Sequence, residues 1–233
     1  MHVKKVAHSS EAEAMILNPQ KYRVAFVFNT LYYPFTYPEI LNSLVARKYA
    51  IIAGPPPRPV LSGARIYVSG FVASKPGCFI ELDDSRKIIA TEGSSIDSVL
   101  ASARDIVDIS MADFRLNLPE GIDYTELIGA VVVPDSRNPT AMVGKFSGEQ
   151  YNAFNEILGT ETAGYSIRIV PKDRLSMEKN WFDISITPRF STADREYYVE
   201  VVFRREKNID DVLDFTAQLE TKLFAIMDKI RGS

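Results

Sequence analysis

A chain of 233 residues, 46% hydrophobic and 24% charged, has room for one large domain or two small ones and the balance of an ordinary globular protein. Its net charge of −3 argues against a broad basic surface, so nucleic-acid binding would need a local patch. A single cysteine, Cys78, excludes an internal disulfide and suits a reducing compartment; no run reaches the roughly 18–20 apolar residues of a membrane span, and Met1–Gln20, with Glu11 and Glu13, lacks the apolar core of a secretion signal. A cytoplasmic protein with no membrane partner is the expectation.

Residues 1–21 read as a loosely held N-terminal arm, since Asn18-Pro19 ends the helical turn that Ala12–Leu17 could form. Arg23–Phe28 is a predicted strand. Tyr37–Tyr49 is a helix with Pro38 and Glu39 in its first turn and Ile40, Leu41, Leu44 and Val45 on one face. The run Pro55–Pro59 then follows as a stiff link or a strand edge, with a polyproline ligand as the alternative reading. Three strands are expected at Ala64–Ala73, Cys78–Leu82 and Lys87–Thr91, the last two joined by a turn at Asp83-Asp84-Ser85. A helix opens at Ser95, with Ile96, Val99, Leu100, Ala103, Val107 and Met111 turned inward.

Residues 112–126, with Pro119 and Gly121, read as a linker, after which Ile128–Val133 is a strand. Phe182, Ile184 and Ile186 then alternate with polar residues. Beyond a break at Pro188–Glu196, Tyr197, Val199, Val201 and Phe203 do the same, which predicts a hairpin with one buried face. Asn208 caps one long final helix, with Asp210 and Asp211 at its positive end and a stripe of Val212, Phe215, Leu219, Leu223, Ile226 and Ile230. Only three glutamines, Gln20, Gln150 and Gln218, point weakly to a thermophilic source.

The two long helices begin alike. Ser95-Ile-Asp-Ser-Val-Leu100 and Asn208-Ile-Asp-Asp-Val-Leu213 stand 113 residues apart, each after a strand and a loop of equal length. The same offset lays Leu41, Leu44 and Val45 on Phe154, Ile157 and Leu158. This predicts an α+β fold of two tandem βαβββα repeats, 22–111 and 127–233, that share one curved antiparallel sheet with the long helices on one face. The opposite face is left open.

The stretch Phe79-Ile-Glu-Leu-Asp-Asp-Ser85-Arg-Lys87-Ile-Ile-Ala-Thr91-Glu-Gly93, followed by Ala103-Arg104 and Val107 on a helix, resembles the repeat of the TATA-binding-protein fold. The resemblance is detailed over about Ile66–Val107 and otherwise topological, and it implies a duplicated, saddle-shaped sheet. It also implies an apolar wedge at a strand end, where this chain carries Leu82 and not phenylalanine. Arg86 replaces the turn glycine, Glu92 replaces the glycine after Thr91, and Asp83-Asp84 puts two carboxylates where phosphate would approach. The expectation carries over the fold and not promoter binding.

The residues exclude most catalytic constellations. His2 and His8 are the only histidines and both lie in the arm, which leaves no Ser-His-Asp or Cys-His set and no zinc site. There is no phosphate-binding loop or nucleophile elbow; Asp210-Asp211 suits a helix start, and Cys78 a small buried hydrophobe. A magnesium site built from separated acids stays open. No catalytic, cofactor or metal residue is nominated and no cofactor is expected. The candidates lie on the open face: Arg65, Tyr67, Phe71, Leu82 and Thr91 from the first repeat, and Trp181, Asp183, Tyr198 and Arg204 from the second. Aromatics among arginines suit stacking on bases or a hydrated protein interface. The expected function is therefore a non-enzymatic recognition module for a protein or a nucleic acid. The alternatives are a small-molecule site or carboxylate-dependent enzyme in a cleft between repeats, near Asp183 and the Pro55–Pro59 run, and a homodimer that covers its open sheet faces.

Overall fold

The computed structural model describes residues 15–29, 38–52, 69–83, 85–148, 151–172, 175 and 178–232. In chain order these form β1 (Asn18–Phe28), α1 (Pro38–Ala46), β2 (Ala50–Ile51), β3 (Ser69–Lys75), β4 (Cys78–Asp83), β5 (Ile88–Gly93) and α2 (Ile96–Asp108). They continue with α3 (Leu118–Gly121), β6 (Ile122–Pro134), α4 (Pro139–Gly144), α5 (Asn152–Leu158), β7 (Ile167–Ile169), β8 (Trp181–Pro188), β9 (Glu196–Glu206), α6 (Ile209–Ala217) and α7 (Leu219–Arg231). The fold is α+β: among the described residues, nine strands make one antiparallel sheet in the order β2-β3-β4-β5-β1-β6-β9-β8-β7.

Strand alternation decides which side of this sheet is apolar. Val24 stands opposite Thr91 and Leu127, and Phe26 opposite Ile89 and Thr125, so these side chains share one face. The register carries that face outward through Val199, Val201 and Phe203 on one flank and Ile80 and Leu82 on the other. It meets Val99, Ala103 and Ile106 of α2, Val212 of α6, and Leu219, Leu223 and Met227 of α7, all of them buried. Each such side chain contributes about 1.5–3 kcal/mol by leaving water, as an upper estimate. Gly129, at the centre of β6, is closely covered: a Cβ there would meet Leu219 Cδ2 at 3.3 Å and the Tyr22 ring at 3.5 Å.

Both long-helix starts carry the expected caps. Ser95 Oγ accepts the Ser98 N–H at 3.4 Å and Asn208 Oδ1 accepts the Asp211 N–H at 3.0 Å, each worth about 1 kcal/mol.

Several boundaries differ from the sequence reading, each for a local reason. β1 starts at Asn18 and not Arg23; Pro19 is accommodated near the strand end, next to a register shift between Pro19 and Lys21. β6 starts at Ile122, inside the expected linker, because Ile122 and Thr125 bury on the helix side while Tyr124 and Glu126 face the other way. Met111 is not inward but exposed: the buried face of α2 runs through Ser102, Ala103 and Ile106, which carries on to Ile109 and Ser110 three and four residues later and leaves Met111 outside it, and after Asp108 the helix ends in a π-turn, Ile109–Asp113. The single final helix is two. The Thr216 hydroxyl bonds back to the Val212 carbonyl at 2.6 Å, Gln218 leaves helical geometry, and α7 resumes directly after it with Leu219 buried.

α5 is the largest departure. Its apolar residues were aligned with the inward face of α1, yet Phe154, Ile157 and Leu158 are 47%, 77% and 64% exposed and the helix buries nothing. Met142 and Val143 of α4 enter the core in that part of the fold. The residues Pro55–Pro59 lie outside those described.

Candidate recognition surface

The face of the sheet away from α2, α6 and α7 is set by the other strand parity. Register places on it Phe71 from β3, Phe79 and Glu81 from β4, Ala90 and Glu92 from β5, and Lys21, Arg23, Ala25 and Val27 from β1. Beyond the centre it carries Tyr124, Glu126 and Ile128 from β6, Tyr198, Glu200, Val202 and Arg204 from β9, and Trp181, Asp183 and Ser185 from β8.

Two shallow depressions mark this face. One, of about 640 Å³, spans β5, β1 and β6 and is lined by Arg23, Val27, Glu81, Ile88, Tyr124 and Glu126. The other, of about 310 Å³, is lined by Ile128, Arg168, Asp183, Ser185, Glu200 and Val202. Although no core helix covers them, the Arg23 and Glu126 side chains are only 12% and 13% exposed. Burial of that degree on the uncovered side means that neighbouring side chains wall these charges in.

On this face Lys21, Arg23, Arg168 and Arg204 each have a carboxylate partner. Arg23 Nε donates to Glu81 Oε2 at 2.7 Å, and Lys21 Nζ sits 2.6 Å from Glu92 Oε2. Arg204 donates through Nε at 2.8 Å and Nη2 at 2.5 Å to Glu126 Oε2, with its guanidinium 4.7 Å from the centre of the Tyr124 ring. Arg168, on the edge strand β7, forks onto Asp183, with Nε 2.9 Å from Oδ1 and 3.0 Å from Oδ2. At the β4–β5 turn the Ser85 hydroxyl, 2.6 Å away, and the Arg86 N–H hold the Asp83 carboxyl below the usual range. Burial, and next the charge of Glu200, raise the Tyr198 hydroxyl above its ordinary value.

The apolar exposure lies at one end. Phe71 and Phe79 are each 45% exposed and meet with ring centres 5.2 Å apart, a tilted pair open to solvent.

The sequence candidates divide accordingly. Phe71, Asp183, Tyr198 and Arg204 lie on this face, the last two half-buried. Trp181 shares it by register, opposite Arg204, but is buried and offers no free ring. Leu82 and Thr91 are corrections: both are buried on the helix side, because Leu82 pairs with Ile89 and Thr91 with Val24. A wedge at Leu82 is thereby removed. Arg65 and Tyr67 lie outside the described residues. The sequence reading missed Phe79, Arg23, Glu81 and Glu126, although the alternation of Cys78-Phe-Ile-Glu-Leu-Asp83 carried the signal for two of them. Among the described residues no three His, Cys, Asp or Glu side chains gather as metal ligands.

No protein-family model matches the chain, and a search of curated proteins finds no match to its sequence.

Proposed function

We propose that the protein is a non-enzymatic recognition module that binds another protein through the uncovered face of its sheet, with Phe71 and Phe79 as the apolar anchor. The observation that carries this reading is the charge pairing. Phosphate recognition runs on Lys and Arg free to replace counterions, whereas Lys21, Arg23, Arg168 and Arg204 each already face a carboxylate within the same sheet. A half-exposed aromatic pair beside internally neutral ion pairs is the composition of a protein interface, an aromatic anchor with a polar rim.

We further infer that the chain is two tandem βαβββα repeats of the TATA-binding-protein kind. Supporting this, β1 and β6 lie side by side at the centre, the last strand of each half, β5 and β9, flanks its own first strand, and both long helices start from matching caps. The shallow depressions support no cleft chemistry of their own.

Site-specific photo-crosslinking tests the function. A benzoylphenylalanine at position 79 is expected to yield a defined protein adduct in cells, absent when the same group stands at exposed Met111 on the helix side and absent in Phe71→Asp. No adduct at position 79 sinks the reading. So does micromolar binding of duplex or single-stranded nucleic acid that weakens with salt and is lost in a Lys21→Ala, Arg204→Ala double variant.

A further inference from the structure

A second surface, on α5 of the second half, is built the wrong way round for a monomer. α5 ties its polar side to the chain: Asn155 Oδ1 accepts the Thr162 N–H at 2.7 Å and the Thr162 hydroxyl at the same distance. The other side of this seven-residue helix presents Phe154, Ile157 and Leu158 to solvent, with Tyr151 edge-on to Phe154 at 5.9 Å between ring centres. A helix this short draws little stability from propensity and in proteins is held by a buried apolar side. Here that side is the exposed one.

The patch extends beyond α5. Gly144, at the end of α4, packs on Ala163, whose Cβ lies 3.8 Å from where a glycine Cβ would stand. Tyr165 Oη donates to the Pro188 carbonyl at 3.2 Å, and Thr140 Oγ1 to the Ala193 carbonyl at 2.9 Å. These contacts tie α4, the loop after α5 and the β8–β9 turn to one another, and the same segments carry exposed Phe146, Tyr165 and the almost fully exposed Phe190. Of the fourteen large hydrophobics exposed among the described residues, eight fall between Phe146 and Phe190. A soluble monomer rarely shows a contiguous apolar patch above a few hundred Å².

We propose that this corner is the interface of a homodimer, in which the α5 face of one copy packs against the α5 face of a second. Six large side chains at these exposures offer on the order of 100 Å² each, so roughly 600 Å² per copy before any backbone is counted. A standard stable interface takes about 800 Å² per partner, and an isologous contact brings the same patch from both sides. Residues 151–162 carry Glu156 and Glu161 and no Lys or Arg, and neither acid belongs to the exposed Phe154-Ile157-Leu158 stripe. This interface is separate from the sheet face and does not depend on its reading.

Sedimentation velocity on the full chain, from about 1 to 300 µM, tests it. The wild type is expected at twice the 26.1 kDa chain mass in the upper part of that range. An Ile157→Glu, Leu158→Glu variant is expected to dissociate at least ~100-fold more readily, and to keep the wild-type unfolding midpoint when both are compared dilute enough for the wild type to be monomeric, since neither residue is buried in one copy. Phe71→Glu, on the sheet face, is expected to leave the dimer intact. A wild type that stays monomeric at the highest concentration overturns the proposal. So does a dimer that Phe71→Glu dissociates and the α5 variant does not, which would place the contact on the sheet.

Discussion

Asp135, just past the end of β6, provides the sharpest test of how the C-terminal helix is held. Its side chain is 1% exposed and accepts Arg231 Nε at 2.9 Å and Nη2 at 3.4 Å, together with the Arg137 N–H at 2.9 Å. Arg137 in turn donates to the Arg231 carbonyl at 2.9 Å, so one carboxylate joins β6 to the last turn of α7. Asp135→Ala leaves the Arg231 guanidinium, 12% exposed, without its counter-charge. Breaking a buried pair from one side costs about 3–5 kcal/mol, and the lower end applies here because Arg231 stands in the last helical turn and can partly reach water. For a chain of this size about 3 kcal/mol lowers the thermal midpoint by roughly 6–12 °C. Arg231→Met alone is expected to cost less, since Asp135 keeps the Arg137 N–H and Arg137 Nε, 3.4 Å from Oδ1, and the double variant is expected to cost clearly less than the sum of the two. Urea unfolding of the four proteins yields the coupling directly. Additive losses, or a loss below about 1 kcal/mol in Asp135→Ala, would refute the reasoning.

Tyr197→Phe is expected to be neutral or to stabilise by up to about 1 kcal/mol, because the Tyr197 hydroxyl is buried without a hydrogen-bond partner; a loss in urea unfolding contradicts this. Burial pushes the Tyr49 and Tyr197 hydroxyls up to about 12, with Asp105 and Asp135 respectively adding to the rise, and raises Tyr22 as well, so the folded state keeps protons that the unfolded state releases near pH 10. Stability is therefore expected to fall from pH 10 towards 12, by about 1.4 kcal/mol per unit for each group, and Tyr49→Phe to flatten the fall; a flat profile counts against it. The burial of Ile109 and exposure of Met111 predict that Ile109→Ala costs about 2–4 kcal/mol whereas Met111→Glu costs under about 0.5; the reverse order in thermal unfolding would put the buried face of this helix end on Met111.

What the sequence revealed follows from how far each signal reaches. Period-two alternation at Phe182–Ile186 and Tyr197–Phe203 is set by neighbours in the chain, and the structure keeps both faces as read. The caps at Ser95 and Asn208 are equally local. The π-turn at Ile109 and the break at Gln218 depend on what the helices meet, and no residue at either place is a helix breaker. Leu82 and Thr91 went to the wrong side because the resemblance, and not strand parity, placed them; counting outward from buried Ile80 and Ile89 turns both inward. The ion pairs of the open face were out of reach for a different reason: Arg23 and Glu81 lie 58 positions apart, and Glu126 and Arg204 lie 78 apart.

The central place of β1 has a consequence for biosynthesis. The earliest of the nine strands to leave the ribosome is one that needs partners along both edges, yet β5 follows about sixty residues later and β6 more than ninety. At ordinary elongation speeds that is roughly 3–20 s in which an apolar ribbon, Tyr22 to Phe28, waits with its hydrogen-bonding groups bare. Nascent chains stalled between Phe28 and Ile122 are thus the species most in need of chaperone cover, and a release after β6 is the first point at which the sheet can close on its own centre.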